Sequence, residues 1–262
     1  MKLFSLKDKV ALVTGANGLL GAMHCRVLKE AGARVVAADV QALPEEESCA
    51  DISLVMDVTN RESIEGGMQW VESQLGPVDV LINNAAVNDR FEEPSLALER
   101  SKFENYPVEM WQRALDVNVT GVFLCCQVFG SAMALRGSGS IVNIASTYGI
   151  VAPDQRLYRD PRGVQQFYKS IAYPATKAAV LGMTRFLAAY WGERGVRVNA
   201  LSPGGVQNHQ DEWFIQNYAE RTCLRRMASP EDYNGAIVFL ASDASAYMTG
   251  ANLVVDGGWT IV

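Results

Sequence analysis

The sequence predicts a single α/β domain built on a doubly wound parallel sheet with helices on both faces. Short β-branched apolar runs alternate with amphipathic stretches, the pattern of strand-crossover-strand units. Several runs are apolar at nearly every position, as expected of strands covered on both sides. No repeat or low-complexity linker divides the 262 residues, so 1–262 reads as one domain.

Strands are expected at 10–14, 34–38, 53–58, 80–83, 141–145, 197–201 and 252–255. Helices are expected at 20–31, 61–75, 111–135, 176–193 and 231–241. Gly32, Gly195 and the Gly76-Pro77 pair with Asp79 punctuate helix-to-strand turns. Three long connections, 87–106, 147–172 and 203–226, each follow a strand. They therefore gather outside the carboxyl ends of the sheet, where open α/β folds bind ligands.

Composition removes several function classes. Lys+Arg 23 against Asp+Glu 29 gives a net charge of −6, which argues against a nucleic-acid binder. No apolar run is expected to reach the roughly 18 residues of a membrane span, so no membrane partner is expected. Lys7, Asp8 and Lys9 stand where a signal peptide would be apolar, and the expected location is cytoplasmic. The five cysteines are scattered without a C-x-x-C pair, and the two histidines, His24 and His209, lie in no zinc motif; no metal site is expected. A G-x-S-x-G elbow for a serine hydrolase is absent.

The first expected strand ends in Thr14-Gly15-Ala16-Asn17-Gly18-Leu19-Leu20-Gly21 and a helix follows. Glycines let a backbone turn sharply and approach a pyrophosphate, and the helix N-terminus offers it free N–H groups. On its own this is also the pattern of any tight strand-to-helix turn. With a strand before, a helix after and Asp39 closing the second strand, it points to a Rossmann-type dinucleotide site. A carboxylate there accepts hydrogen bonds from both ribose hydroxyls and repels a 2′-phosphate. No Arg or Lys lies in the loop or beside Asp39, so NAD is expected over NADP.

Tyr173-Pro174-Ala175-Thr176-Lys177 opens the fourth long helix. Residues four apart share a helix face, so phenol and ammonium can point at one cavity. Free tyrosine titrates near 10, and a nearby cation is expected to bring the phenol down toward working pH as a general acid/base.

Taken together, these residues resemble the short-chain dehydrogenase/reductase family in its single-domain form, over nearly the whole chain. The markers stand in the family's order: the loop 14–21, Asp57-Val58, Asn83-Asn84-Ala85-Ala86, Asn118, Ser146, Tyr173 with Lys177, Pro203-Gly204 and Asp256-Gly257-Gly258. The resemblance implies that Tyr173 exchanges the substrate's hydroxyl proton, while Lys177 lowers its pKa and binds the nicotinamide ribose. It implies that Ser146 hydrogen-bonds the substrate oxygen and that Asn118 holds a water in a proton relay. It places Gly15, Asn17, Gly18, Leu20 and Gly21 at the cofactor phosphates and Asp57 and Val58 at adenine. Asn84 and Ala85 would line the cofactor channel, and Pro203, Gly204 and Val206 would lie toward the carboxamide. Read singly, Asn118 could instead bridge backbone, Asn84 cap a turn and Ser146 end a strand. The resemblance also implies a homo-oligomer, a tetramer or a dimer.

Three departures stand out. The middle glycine falls at Gly18, with Leu19 in its usual place; this spacing is typical of longer relatives acting on nucleotide-sugars, which carry an additional C-terminal lobe. No threonine follows Pro203-Gly204, where the chain continues Gly205-Val206-Gln207-Asn208. The stretch between Ser146 and Tyr173 is about twice the family's ordinary length and forms an insert at about 147–172, expected to shape one wall of the substrate pocket.

That insert holds Arg156, Arg159, Arg162 and Lys169 against Asp154 and Asp160. The loop after strand four adds Arg90, Arg100 and Lys102, offset by Asp89, Glu92, Glu93 and Glu99. These charges are either solvated loop residues or a site for an anionic substrate. Asn88, Asn208, His209 and Gln210 fit a hydroxyl-rich ligand better than a steroid. The expectation is an NAD-dependent oxidoreductase moving a hydride between nicotinamide and a secondary alcohol/ketone, extending to a sugar or sugar phosphate. The alternative is a sugar epimerase or dehydratase with tightly held NAD.

Overall fold

The computed structural model describes residues 2–42, 49–89 and 94–262. Seven strands form one wholly parallel sheet: β1 (Val10–Thr14), β2 (Arg34–Asp39), β3 (Ile52–Val55), β4 (Val80–Asn83), β5 (Gly139–Ile144), β6 (Val196–Pro203) and β7 (Asn252–Val255). Their spatial order is β3-β2-β1-β4-β5-β6-β7. Leu12 of β1 stands opposite Val36 on one side and Leu81 on the other. Chain order reverses between β1 and β4, and this switch point opens a crevice at their carboxyl ends. The third strand is shorter than expected. As the sheet's edge it pairs with β2 alone, its last partner being Asp39, and the chain then turns through Asp57, whose carboxylate accepts from the Thr59 amide at 2.8 Å.

The helices are α1 (Leu19–Glu30), α2 (Arg61–Leu75), α3 (Pro94–Ser101), α4 (Val108–Arg136), α5 (Ala172–Trp191), α6 (Glu212–Glu220) and α7 (Asn234–Ala241). Strand alternation divides the core. Leu12, Val36, Leu81, Ile141 and Val198 pack with Ile64 and Val71 of α2, Phe129 of α4 and Val180 of α5. Val13, Val35, Ile82, Val142 and Leu201 pack with Leu28 of α1 and Ile237 and Leu240 of α7. Each fully buried side chain of this kind stabilises the fold by about 1.5–3 kcal/mol. A third cluster joins Leu157 and Tyr158 of the insert to Tyr218 of α6, Met227 and Trp259, so the insert has its own small core.

Helix α4 corrects one expectation, because by length and composition it is long and apolar enough to span a bilayer. Here it is a core helix, with Val122, Cys125, Phe129 and Met133 buried against the sheet. It widens into π-type turns at Asp116–Gly121 and Cys126–Gly130, a form that recurs at functional sites. Glycines let its neighbours close in. A Cβ on Gly121 would lie 2.8 Å from Val58, and one on Gly130 would lie 2.5 Å from the Trp191 ring.

His24 on α1 is fully buried, and neither ring nitrogen has a hydrogen-bond partner among the described residues. Burial pushes its imidazole down to about 4. The folded state holds it neutral while the unfolded chain protonates near 6.5, so unfolding takes up a proton between those values. Stability should therefore fall by about 3 kcal/mol as pH drops from neutrality through about 4. Urea unfolding of the wild type and His24→Leu across that range checks this, the variant showing the shallower pH dependence.

Candidate active site

The glycine turn between β1 and α1 is built by three glycines with different tasks. Gly15 has φ +62°, and a Cβ there would lie 2.6 Å from Cα of Ala85. A Cβ on Gly21 would lie 2.2 Å from the Gly15 carbonyl oxygen, so this glycine brings α1 down onto the turn. Gly18 meets only an ordinary contact of 3.4 Å, which leaves its outer side open. Gly18 also caps α1 without a side-chain hydrogen bond, so the first-turn amides are available to an anion.

Thr14 and Asn84 lock this turn to β4. The Thr14 hydroxyl accepts from the Asn84 and Ala85 amides, both at 3.1 Å, and the Asn84 side chain donates to the Thr14 and Gly15 carbonyls at 3.0 Å. At the end of β2, Asp39 accepts from the Asn17 amide at 3.0 Å. Gly15, Gly18, Leu20, Gly21, Asp39, Asp57, Val58, Asn84 and Ala85 line one cavity of about 1170 Å³. Asn17 supports it through Asp39. Among the described residues, four carboxylates (Asp39, Asp57, Glu109, Asp116) face this cavity against one cation, Arg113, which stands on α4.

Tyr173 lies in the first turn of α5 and Lys177 one turn on, buried, its Nζ donating to the Ile144 carbonyl at 2.7 Å. Ser146, just past β5, accepts from the Tyr148 amide at 3.2 Å and hydrogen-bonds the Tyr173 phenol. Gly149 lets this turn press on α5, since a Cβ there would lie 2.8 Å from the Lys177 backbone. Asn118 is buried in the first π-type turn of α4, and its amide grips both backbone groups of Val87 at 2.8 and 2.9 Å and the Thr176 hydroxyl at 3.2 Å. Its side chain thus ties the segment after β4 to the start of α5.

The electrostatics differ from expectation. Burial raises Tyr173 above the usual phenol range, and the Ser146 hydrogen bond opposes it. Burial brings Lys177 down to about 8. Lys177 is aimed at a carbonyl with its Nζ 5.6 Å from the Tyr173 ring centroid, so desolvation outweighs its pull on the phenol.

A second cavity of about 510 Å³ lies on the insert side, lined by Asn88, Asp89, Lys169, Ser170, Gln210 and Asp211 among polar groups and by Phe167, Trp213 and Phe214 among aromatic ones. Asp89 accepts from the Tyr106 hydroxyl at 2.9 Å and from Ser170. Lys169 reaches from this wall over the Tyr173 ring, 4.5 Å from its centroid. Tyr173, Ser146 and Lys177 line neither cavity; Lys169 links Tyr173 to the second, and Asn118 links Thr176 of the same helix to Val87 on the wall of the first.

The insert's arginines do not converge on the site. Arg156 and Arg221 share Asp154, Arg162 pairs with Asp160, and Arg159 donates to Gln165. Lys102 pairs with Glu99, and Arg90, Glu92 and Glu93 lie outside the described residues. Pro203, Gly204 and Val206 are not brought to the cofactor cavity's wall either. Gly204 packs under Asp256, Gly205 donates to the Tyr218 hydroxyl at 2.5 Å, and Val206 bridges to Ala228. Sequence reasoning grouped Lys169 with the other insert charges and passed over Thr14 and Gly149. Only the Thr-Gly pairing at the end of β1 could have drawn attention to Thr14.

Comparison with known proteins bears on this arrangement. The family model described as enoyl-(acyl carrier protein) reductase matches residues 15–260. The D-threitol dehydrogenase of Mycolicibacterium smegmatis is 35% identical, covering 98% of this chain and 95% of that protein. The NAD-dependent glycerol dehydrogenase of Listeria innocua is 32% identical over 98% and 96%. A 3-alpha-(or 20-beta)-hydroxysteroid dehydrogenase of Mycobacterium tuberculosis is 35% identical over 97% and 90%. Among solved structures, a short chain dehydrogenase from Leptospira borgpetersenii with bound NAD+ has a TM-score of 0.87 and 32% identity, covering 100% of this chain and 96% of that one. A gluconate 5-dehydrogenase from Burkholderia cenocepacia in complex with NADP and tartrate has a TM-score of 0.84 and 29% identity over 99% and 98%. The chain belongs to the short-chain dehydrogenase/reductase family of oxidoreductases.

Proposed function

We propose that this enzyme oxidises a secondary hydroxyl of a neutral polyol, and reduces the matching ketone, with NAD rather than NADP as its partner. The observation that carries this reading is the Tyr173 phenol, hydrogen-bonded to Ser146, with Lys169 of the polar cavity over its ring and Asn118 tying its helix to the wall of a dinucleotide-sized cavity. The fit to a dinucleotide rests on the uncapped start of α1, the open side of Gly18 and the Asp39 carboxylate at the end of β2. Those groups, with Asp57, Val58, Asn84 and Ala85, would hold NAD, which supplies the hydride acceptor when bound.

The chain's own groups handle the proton. Ser146 orients the substrate oxygen, and Tyr173 takes its proton in oxidation and returns it in reduction. Lys177 places a cation 5.6 Å from the centroid of the phenol ring, and Asn118 acts as a positioning residue by fixing Val87 and Thr176 on either side. Among the described residues, two carboxylates, Asp89 and Asp211, line the second cavity with one ammonium, Lys169, and the His209 imidazole, a balance that suits hydroxyl groups better than a phosphate or carboxylate. The aromatic wall of Trp213 and Phe214 suits the C–H face of a carbon chain. The polyol names of two relatives support the same class. Exposed Phe123, Phe186 and Tyr190 on α4 and α5, the last two stacked at 5.8 Å, support assembly into a homo-oligomer.

Two experiments test this reading. Tyr173→Phe should cut kcat for alcohol oxidation by about 10²–10⁴-fold while NADH binding, followed by fluorescence, stays within about twofold. Turnover that survives the substitution would remove the assigned base. Asp39→Ala should lower the NAD-over-NADP preference in kcat/KM by at least about tenfold, by ending repulsion of a 2′-phosphate and removing acceptors for the ribose hydroxyls.

A further inference from the structure

Of the insert's cations, Lys169 alone turns into the second cavity. Its backbone is held on both sides by Gln155, which accepts from its amide at 2.8 Å and donates to its carbonyl at 2.9 Å. The preceding Tyr168 amide is anchored on Ser101 at 2.8 Å. The ammonium therefore springs from a fixed base. Its Nζ donates to Oδ1 of Asn88 at 2.6 Å and lies nearer the Tyr173 ring centroid, at 4.5 Å, than Lys177 does at 5.6 Å.

An ammonium has three donors, and Asn88 is the one acceptor its Nζ meets among the described residues. Asp89, the neighbouring acid, has one carboxylate oxygen on the Tyr106 hydroxyl and the other on Ser170. Two donors thus remain for a ligand, beside the ring whose hydroxyl is assigned to the reacting oxygen. A half-buried ammonium with unused donors against an aromatic wall favours a ligand that brings oxygen to it.

We propose that Lys169 is a specificity-determining residue that donates its free N–H groups to the oxygen of the hydroxyl next to the one being oxidised, making the substrate a neutral vicinal diol. This rests on Tyr173 being the proton-exchanging group. Oxygens on adjacent carbons lie about one hydrogen-bond length apart, close to 3 Å, so one diol can meet both the phenol and the ammonium. A lone alcohol leaves the ammonium's donors unused. A hydroxy acid would answer Lys169 but would set its carboxylate in a cavity that Asp89 and Asp211 already line.

The test uses purified full-length enzyme with saturating NAD and a panel of vicinal diols (erythritol, threitol, a vicinal cyclohexanediol), lone alcohols (isopropanol, cyclohexanol) and a hydroxy acid, lactate. The wild type should favour the diols. Lys169→Met should lower the ratio of kcat/KM for diol to that for lone alcohol by about ten- to a hundredfold, mainly through KM, and Lys169→Arg should restore part of it. Unaltered NADH fluorescence titration in both variants shows that the fold is retained. A ratio unchanged in Lys169→Met, an equal loss on diols and lone alcohols, or a wild-type preference for lactate would overturn the inference while leaving the polyol or alcohol reading of Tyr173 standing. NAD reduction with none of these compounds would overturn both.

Discussion

Burial of the Tyr173 phenol against Ser146, with the ammonium groups of Lys169 and Lys177 near its ring, is the interaction on which the site depends. A phenol removed from water resists ionisation, and its neighbours must work against that cost. Lys177 meets the same cost: withdrawal from solvent brings its ammonium down to about 8, although its Nζ donates to the Ile144 carbonyl. Burial thus works against ionisation at both groups.

The scaffold around that pair is stiffened by backbone-directed polar contacts. Asn118 clamps Val87, Asn84 clamps the glycine turn, and Thr14 receives two amides from the segment after β4. The same loops thus join the wall of the larger cavity to the helix that carries Tyr173 and Lys177. The insert adds a rigid wall with its own aromatic core, in which Tyr218 stacks on Trp259 at 4.4 Å. Its arginines are balanced locally by Asp154 and Asp160, which leaves Lys169 to set the inward charge.

Much of this was legible in the residues. Strand alternation set the sheet and its two core faces, because a parallel strand covered on both sides must be apolar throughout. Tyr173, Lys177, Ser146 and the glycine turn were legible as motifs because their chemistry ties them to short spacings. What sequence could not show was direction. Arg156 and Lys169 are both insert cations, and only the packed chain shows one paired outward and the other over the Tyr173 ring. Nor could spacing weigh desolvation against charge at Tyr173, since burial is a property of the assembled fold. Helix α4 escaped as a long apolar run because polar residues such as Asp116 and Asn118 interrupt it.

The most direct test of the central claim is the pH dependence of kcat/KM in both directions. Burial raises the phenol's pKa, so its proton-accepting form grows as pH rises. Alcohol oxidation should climb with pH into the alkaline range, and ketone reduction should fall over the same range. Profiles that stay level in both directions from about pH 6 to 10, with chemistry rate-limiting, would contradict a tyrosine that exchanges the proton.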